Sequence, residues 1–272
     1  MTPFTKYLKL STIAAGGLTL CVHGAQVPQR IDIKQLSKTV EDVVVPLPNE
    51  IFGALNKLGT VNWKEHVRND KGTNFTERPR IALLLGTVIA DGFIAVQAED
   101  APTVKKIGQR VLALAKGIGV GNSITPHAKA IIEAADKRNW DSVRQELDRT
   151  QNSVQQAMNE VHDEKLSQLV SLGGWVRGTQ VVSTAIMQNY DERSAKVLRQ
   201  PALVSLIQSK IGEISPELRG DPLVKNVSEQ LTGIGKLVSF PVGKAPSVDE
   251  VRKVNEAVGK VMEEIENKAI VK

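Results

Sequence analysis

The sequence predicts an all-α protein, an irregular bundle of nine or ten helices around two central apolar ones, with little or no sheet. Three observations carry that expectation. Apolar residues recur at helical spacing, and strand-like alternation is scarce. Prolines and glycines fall where helices would start and stop. Aromatic residues make up only 4% of the chain, few for a sheet that favours them.

The N-terminus comes first. Residues 1–25 read as a secretory signal peptide. Lys6 and Lys9 give a positive start without an acid, and 10–22 is apolar, softened by Ser11, Thr12, Gly16 and Gly17. Small Gly24 and Ala25 then precede polar Gln26. The apolar stretch of about 13 residues is short for a ~30 Å hydrocarbon layer. This predicts a secreted or periplasmic protein of the bacterial envelope, mature from about residue 26. Cys21 is the single cysteine. Cleavage beyond it leaves a cysteine-free mature chain, so stability must come from an apolar core rather than disulfides.

Residues 26–79 read as short helices and loops. The stretch 31–44 is mixed, and Pro46 and Pro48 break it. Asn49 can cap a helix over 50–58, closed by Gly59. Asn62 begins a short turn holding Trp63, which packs under a polar loop at 71–80. The main helical domain is 80–272, and 26–272 reads as one compact unit.

Within it, helix 80–99 is the most apolar segment. Asp100 and Pro102 open a helix that reaches about 117, where Gly117, Gly119 and Gly121 end it. Thr125-Pro126 carries the hydroxyl cap and first-turn proline of the next start. A long amphipathic helix runs from Trp140 to about His162, and a second strongly apolar one covers 164–189. Asp191, Pro201 and Asp221-Pro222 open three more helices. Ser247 and Glu250 have capping-box spacing ahead of a last charged helix over 248–268. Trp140 and Trp175 are expected in the core.

The two apolar helices hold the candidate site. Asp91 is the only charge in 81–98, and Arg177 the only charge in 166–188. A helix apolar nearly all round is a buried helix in a soluble protein. A charge on it must be paired or face a wet cavity, because an isolated buried ion is very costly. At 100° per residue, Thr87, Asp91 and Ala98 share a stripe with Arg80 at its start; Gly173, Arg177 and Thr184 share another, flanked by Gln180 and Gln188. Asp91 and Arg177 are therefore expected to face each other, with Thr87 and Gly173 letting the backbones approach. The set Asp91, Arg177, Thr87 and Thr184 is either a register-setting polar pair or the floor of a ligand pocket. The segments 85–93 and 171–178 are distinctive but carry no activity with them.

Other chemistry is poorly represented. The 35 basic and 30 acidic residues give a net charge of +5, which becomes +3 once Lys6 and Lys9 are removed. The charges are interspersed, which does not suggest nucleic-acid binding. His66, His127 and His162 are far apart in sequence and form no metal-ligand spacing, and no cofactor motif is present. Glu99-Asp100 reads as a cap rather than a catalytic pair. The reading is a non-enzymatic exported protein that binds a protein or small-molecule partner, with no transmembrane helix after the signal peptide. The alternative is a receptor or enzyme whose polar pocket surrounds Asp91 and Arg177.

Overall fold

The computed structural model describes residues 48–68, 75–160 and 164–267, and every regular element among them is helical. The expected signal peptide, the mixed stretch 31–44, His162 and residues 71–74 of the expected loop lie outside the described residues; 78–80 of that expected loop are already helical. The helices are α1 (Pro48–Asn56), α2 (Arg78–Gln97), α3 (Ala101–Gly117), α4 (Gly121–Asp136), α5 (Trp140–Glu160), α6 (Glu164–Gln188), α7 (Glu192–Ala195), α8 (Pro201–Gly212), α9 (Pro216–Gly220), α10 (Pro222–Leu237) and α11 (Val248–Glu266). A 3-10 turn, Trp63–His66, precedes α2.

Starts follow the caps. Asp100 accepts from the Thr103 amide at α3, Asp191 from Ser194 at α7, and Asp221 from Leu223 and Val224 at α10. Ser247 and Glu250 form a reciprocal capping box at α11. Each satisfies amide donors that the first turn leaves without a partner. Ser215 does the same for the short α9, which the sequence reading passed over.

Two starts differ from expectation. α1 begins at Pro48, so Asn49 lies within the helix it was expected to cap. α4 begins at Gly121, not Thr125, and Pro126 lies inside it. Gly119, at φ +90°, reverses the chain sharply after α3, so helical geometry resumes at once. Pro126 then leaves one carbonyl without its usual donor. Burial of Gly121, Ile124 and Ala128 on the inner face outweighs that single loss.

α2 and α6 form the centre and make the most extensive helix contact in the fold. On α2, Ala82, Leu83, Thr87 and Ala95 are fully buried; on α6, Leu169, Val176 and Ser183 are. α3, α4 and α5 follow α2 outward, each packed on the one before, while α11 packs on α6 and α10 on α11. Trp175 is buried, and its indole donates to Gln200 Oε1 at 2.8 Å. Trp63 is buried and Trp140 half-buried against the core. α2 is long and apolar enough to cross a membrane, but 78% of its most apolar window is buried inside the fold.

The α2–α6 approach is backbone to backbone. A Cβ added at Gly86 would overlap the Val170 carbonyl, and one at Gly173 the Leu83 carbonyl. Gly173 therefore has the place expected of it. Its counterpart across the contact is Gly86, one residue before Thr87. Thr87 is fully buried, and its hydroxyl donates to its own helix at Leu84 O, 2.9 Å.

Candidate functional site: an ion network at the α2–α6 crossing

Arg177 Nε donates to Asp91 Oδ1 at 2.8 Å, and the two side chains are only 6% and 7% exposed. Arg177 is fully engaged. Nη1 donates to Gln180 Oε1 at 2.9 Å and Nη2 to the His66 carbonyl at 2.5 Å. Burial pushes this guanidinium below its ordinary value, Asp91 opposes that, and the nearby charge of Arg68 adds to it. It remains charged at neutral pH, as guanidinium groups do.

The second oxygen of Asp91 belongs to Arg68. Arg68 Nε and Nη2 both donate to Asp91 Oδ2, at 2.9 and 2.6 Å, and Nη1 donates to Glu266 Oε1. Four charges alternate from Arg177 through Asp91 and Arg68 to Glu266, and they cancel. The 3-10 turn and its exit, the two central helices and the end of the last helix all meet there. Sequence reasoning identified Asp91 and Arg177 because each is alone on an apolar helix. It missed Arg68 and Glu266, which stand in polar surroundings with nothing local to distinguish them.

Thr184 is elsewhere. Its hydroxyl donates to Gln180 O and accepts from Asn255 Nδ2 at 2.8 Å, a side chain that also reaches Ser183 Oγ and the Gln180 carbonyl. It fastens α6 to α11. Arg80, at the head of the α2 stripe, grips the other end of α11: Nη1 lies 2.6, 3.0 and 2.8 Å from the carbonyls of Glu264, Ile265 and Asn267. A cation bonded to the last carbonyls is the favourable partner of a helix C-terminus.

His66 contributes its carbonyl to Arg177, a role that no histidine motif would reveal. His66 is itself only 7% exposed. Burial lowers its pKa below the ordinary 6.5, and the adjacent Arg177 charge lowers it further.

A cavity of about 580 Å³ borders the outer side of this network. Lys64, Arg68, Lys106 and Arg110 supply its positive lining, and Asp91, Asp100 and Glu266 its negative lining; Arg177 does not reach it. The acids are already engaged: Asp91 and Glu266 with Arg68, and Asp100 as the α3 cap. Lys64 and Lys106 are exposed and make no ion pair among the described residues. No three metal-ligating side chains converge among the described residues.

A second polar constellation lies between α4 and α5. His127 Nδ1 is 2.6 Å from Glu146 Oε1, and His127 Nε2 is 2.7 Å from Ser153 Oγ. The sequence reading set His127 aside because no histidine or cysteine stands at metal-ligand spacing from it; the partners it has come from a different helix. A signal was present: Glu146, Arg149, Thr150 and Ser153 recur at helical spacing and so share one face of α5.

No protein-family model matches this chain, and no curated protein or solved structure matches it either.

Proposed function

We propose that this is an exported protein of the bacterial periplasm or cell surface whose function is to bind a small acidic molecule in the cavity between α2, α3 and the 3-10 turn. The cavity carries the proposal. Its volume lies within the range of small-molecule sites, roughly 300–1,000 Å³, and its polar groups converge. Because its acids are occupied, Lys64 and Lys106 leave the lining with an unanswered positive charge. The Asp91–Arg68–Glu266 row supplies a stiff polar wall whose geometry is fixed before any ligand arrives, which reduces the ordering cost of binding.

The reading favours binding over catalysis at this place. All three nitrogens of Arg177 are committed, and both oxygens of Asp91 accept from guanidinium groups. Neither is poised to carry a proton for a substrate. The export reading rests on the charge, apolar core and small-residue order of residues 1–25.

The test uses the purified mature chain with succinate, citrate and inorganic phosphate as probes, followed by thermal denaturation and calorimetric titration. An acidic probe is expected to raise the melting temperature, and the double variant Lys64→Glu/Lys106→Glu to remove the rise while keeping the helical signal. If none of the probes binds, or the double variant binds them unchanged, the anion-site reading fails.

A further inference from the structure

The α4–α5 constellation shares no residue with the cavity, and the binding function makes no use of it. We propose that Ser153, His127 and Glu146 form a hydrolytic triad, with Ser153 as the nucleophile toward activated carboxylic esters.

The three roles follow from geometry. A nucleophilic triad needs a hydroxyl within hydrogen-bond reach of a base, and that base oriented by a third group. Ser153 Oγ is 2.7 Å from His127 Nε2, and Glu146 Oε1 is 2.6 Å from His127 Nδ1. An ionised Glu146 can only accept, so it selects the tautomer with the proton on Nδ1. Nε2 is then left with its lone pair toward the serine. Burial acts to raise the Glu146 carboxyl, but hydrogen bonds from His127 and Arg149 outweigh it and hold the group below its usual value. It is therefore an acceptor at neutral pH.

Access and electrostatics fit the same chemistry. The histidine and glutamate side chains are 19% and 13% exposed, so the site is sheltered without being sealed. Ser153 is also partly exposed. Arg149 stands one helical turn before Ser153 on the same face of α5. Its Nη1 holds Glu146 Oε2 at 3.0 Å, while its side chain is 68% exposed. The amides within α5 are occupied by the helix, so the positive charge on that face is the group available to stabilise an oxyanion.

The reaction balances with water as the only co-reactant. Ser153 Oγ forms a bond to the acyl carbon as its proton passes to His127 Nε2. The carbon–oxygen bond to the alcohol breaks, and His127 returns the proton to the departing alkoxide. Water then attacks the acyl-serine, gives one proton to His127, and releases the carboxylic acid; that proton restores Ser153.

The experiment treats the mature protein with a fluorophosphonate probe and maps the adduct by mass spectrometry, alongside hydrolysis of p-nitrophenyl acetate. A single phosphonyl adduct on Ser153 is expected, with turnover above buffer. Ser153→Ala should abolish both while retaining the helical signal, since alanine is the best helix former. His127→Gln should lower turnover by about 10²–10⁴-fold. Glu146→Gln should lower it as well and alter its pH profile. An intact, folded protein with no adduct at Ser153, or hydrolysis unchanged in Ser153→Ala, overturns the assignment. Neither result bears on anion binding by Lys64 and Lys106, which is read by titration at a different site.

Discussion

Two helix contacts in this molecule are built on opposite plans. Where α2 crosses α6, glycines bring the backbones together and the buried polar content is an ion row. α10 and α11, which pack on each other, instead bury stripes of branched side chains: Val224, Val227, Leu231 and Ile234 on one, and Val251, Val254, Val258, Val261 and Ile265 on the other. The first contact depends on shape and charge at a few points, and failure at any of them is severe. The second spreads its energy over many methyl groups and gives way in small steps. The comparison teaches where to expect brittleness. It belongs to the centre, although the centre looks like the most ordinary apolar part of the sequence.

Substitution should expose that difference. The largest loss is expected for Gly173→Leu, because the first added carbon overlaps the Leu83 carbonyl, which is backbone and cannot rotate away. More than about 4–5 kcal/mol is expected, an exceptional value for a point change, and the soluble yield should collapse. Asp91→Ala comes next. It leaves Arg177 and Arg68 facing each other around an apolar side chain, at a cost of roughly 3–5 kcal/mol in urea denaturation. A loss below about 1 kcal/mol would mean that water reaches the network and the pair is not buried in solution.

At the other contact, Val258→Ala removes two methyl groups from a fully buried site and should cost about 2–3 kcal/mol. A loss as large as that of Asp91→Ala would erase the distinction between the two contacts. Ser247→Ala, which removes the α11 cap, should cost only ~1 kcal/mol.

The smallest effect is one of pH. The folded pKa of His66 lies below 6.5, so the unfolded chain takes up the proton first as pH falls. This contribution is absent well above 6.5 and destabilises progressively as the pH drops below it. Between about pH 7 and pH 5 the melting temperature of wild type should therefore fall more than that of His66→Gln. Equal slopes would show that the ring is solvated.

The same two contacts show what a sequence can and cannot convey. α10 and α11 are amphipathic, with caps at Asp221 and Ser247, so their limits and inner faces could be read at once. Residues 81–98 and 166–188 are apolar on every side, so period alone could not orient them. What oriented them was the lone charge on each, Asp91 and Arg177. That argument placed the crossing and Gly173 correctly, yet it named Thr87 where Gly86 makes the approach. A glycine advertises permissiveness, not which neighbour it will meet. Arg68 and Glu266 were out of reach for a different reason: they lie 198 residues apart and each sits in a polar stretch. Ser153 and His127 stand on separate helices, and the shared polar face of α5 was the one local sign of them. Pro126 misled because a start signal was taken at face value, while the turn at Gly119 had already begun the helix.

The grip of Arg80 on the end of α11 has a consequence for assembly in time. Its acceptor carbonyls come 184 to 187 residues later in the chain. α2 can form early, but the contact that fastens its first turn must wait until the last helix exists. Central closure is thus a late, long-range event with a large loop entropy behind it. Until then, Arg80 at the head of the molecule's most apolar helix lacks the acceptors that it has in the native fold. A chain shortened by even the final turn of α11 would be held in that unfinished condition permanently.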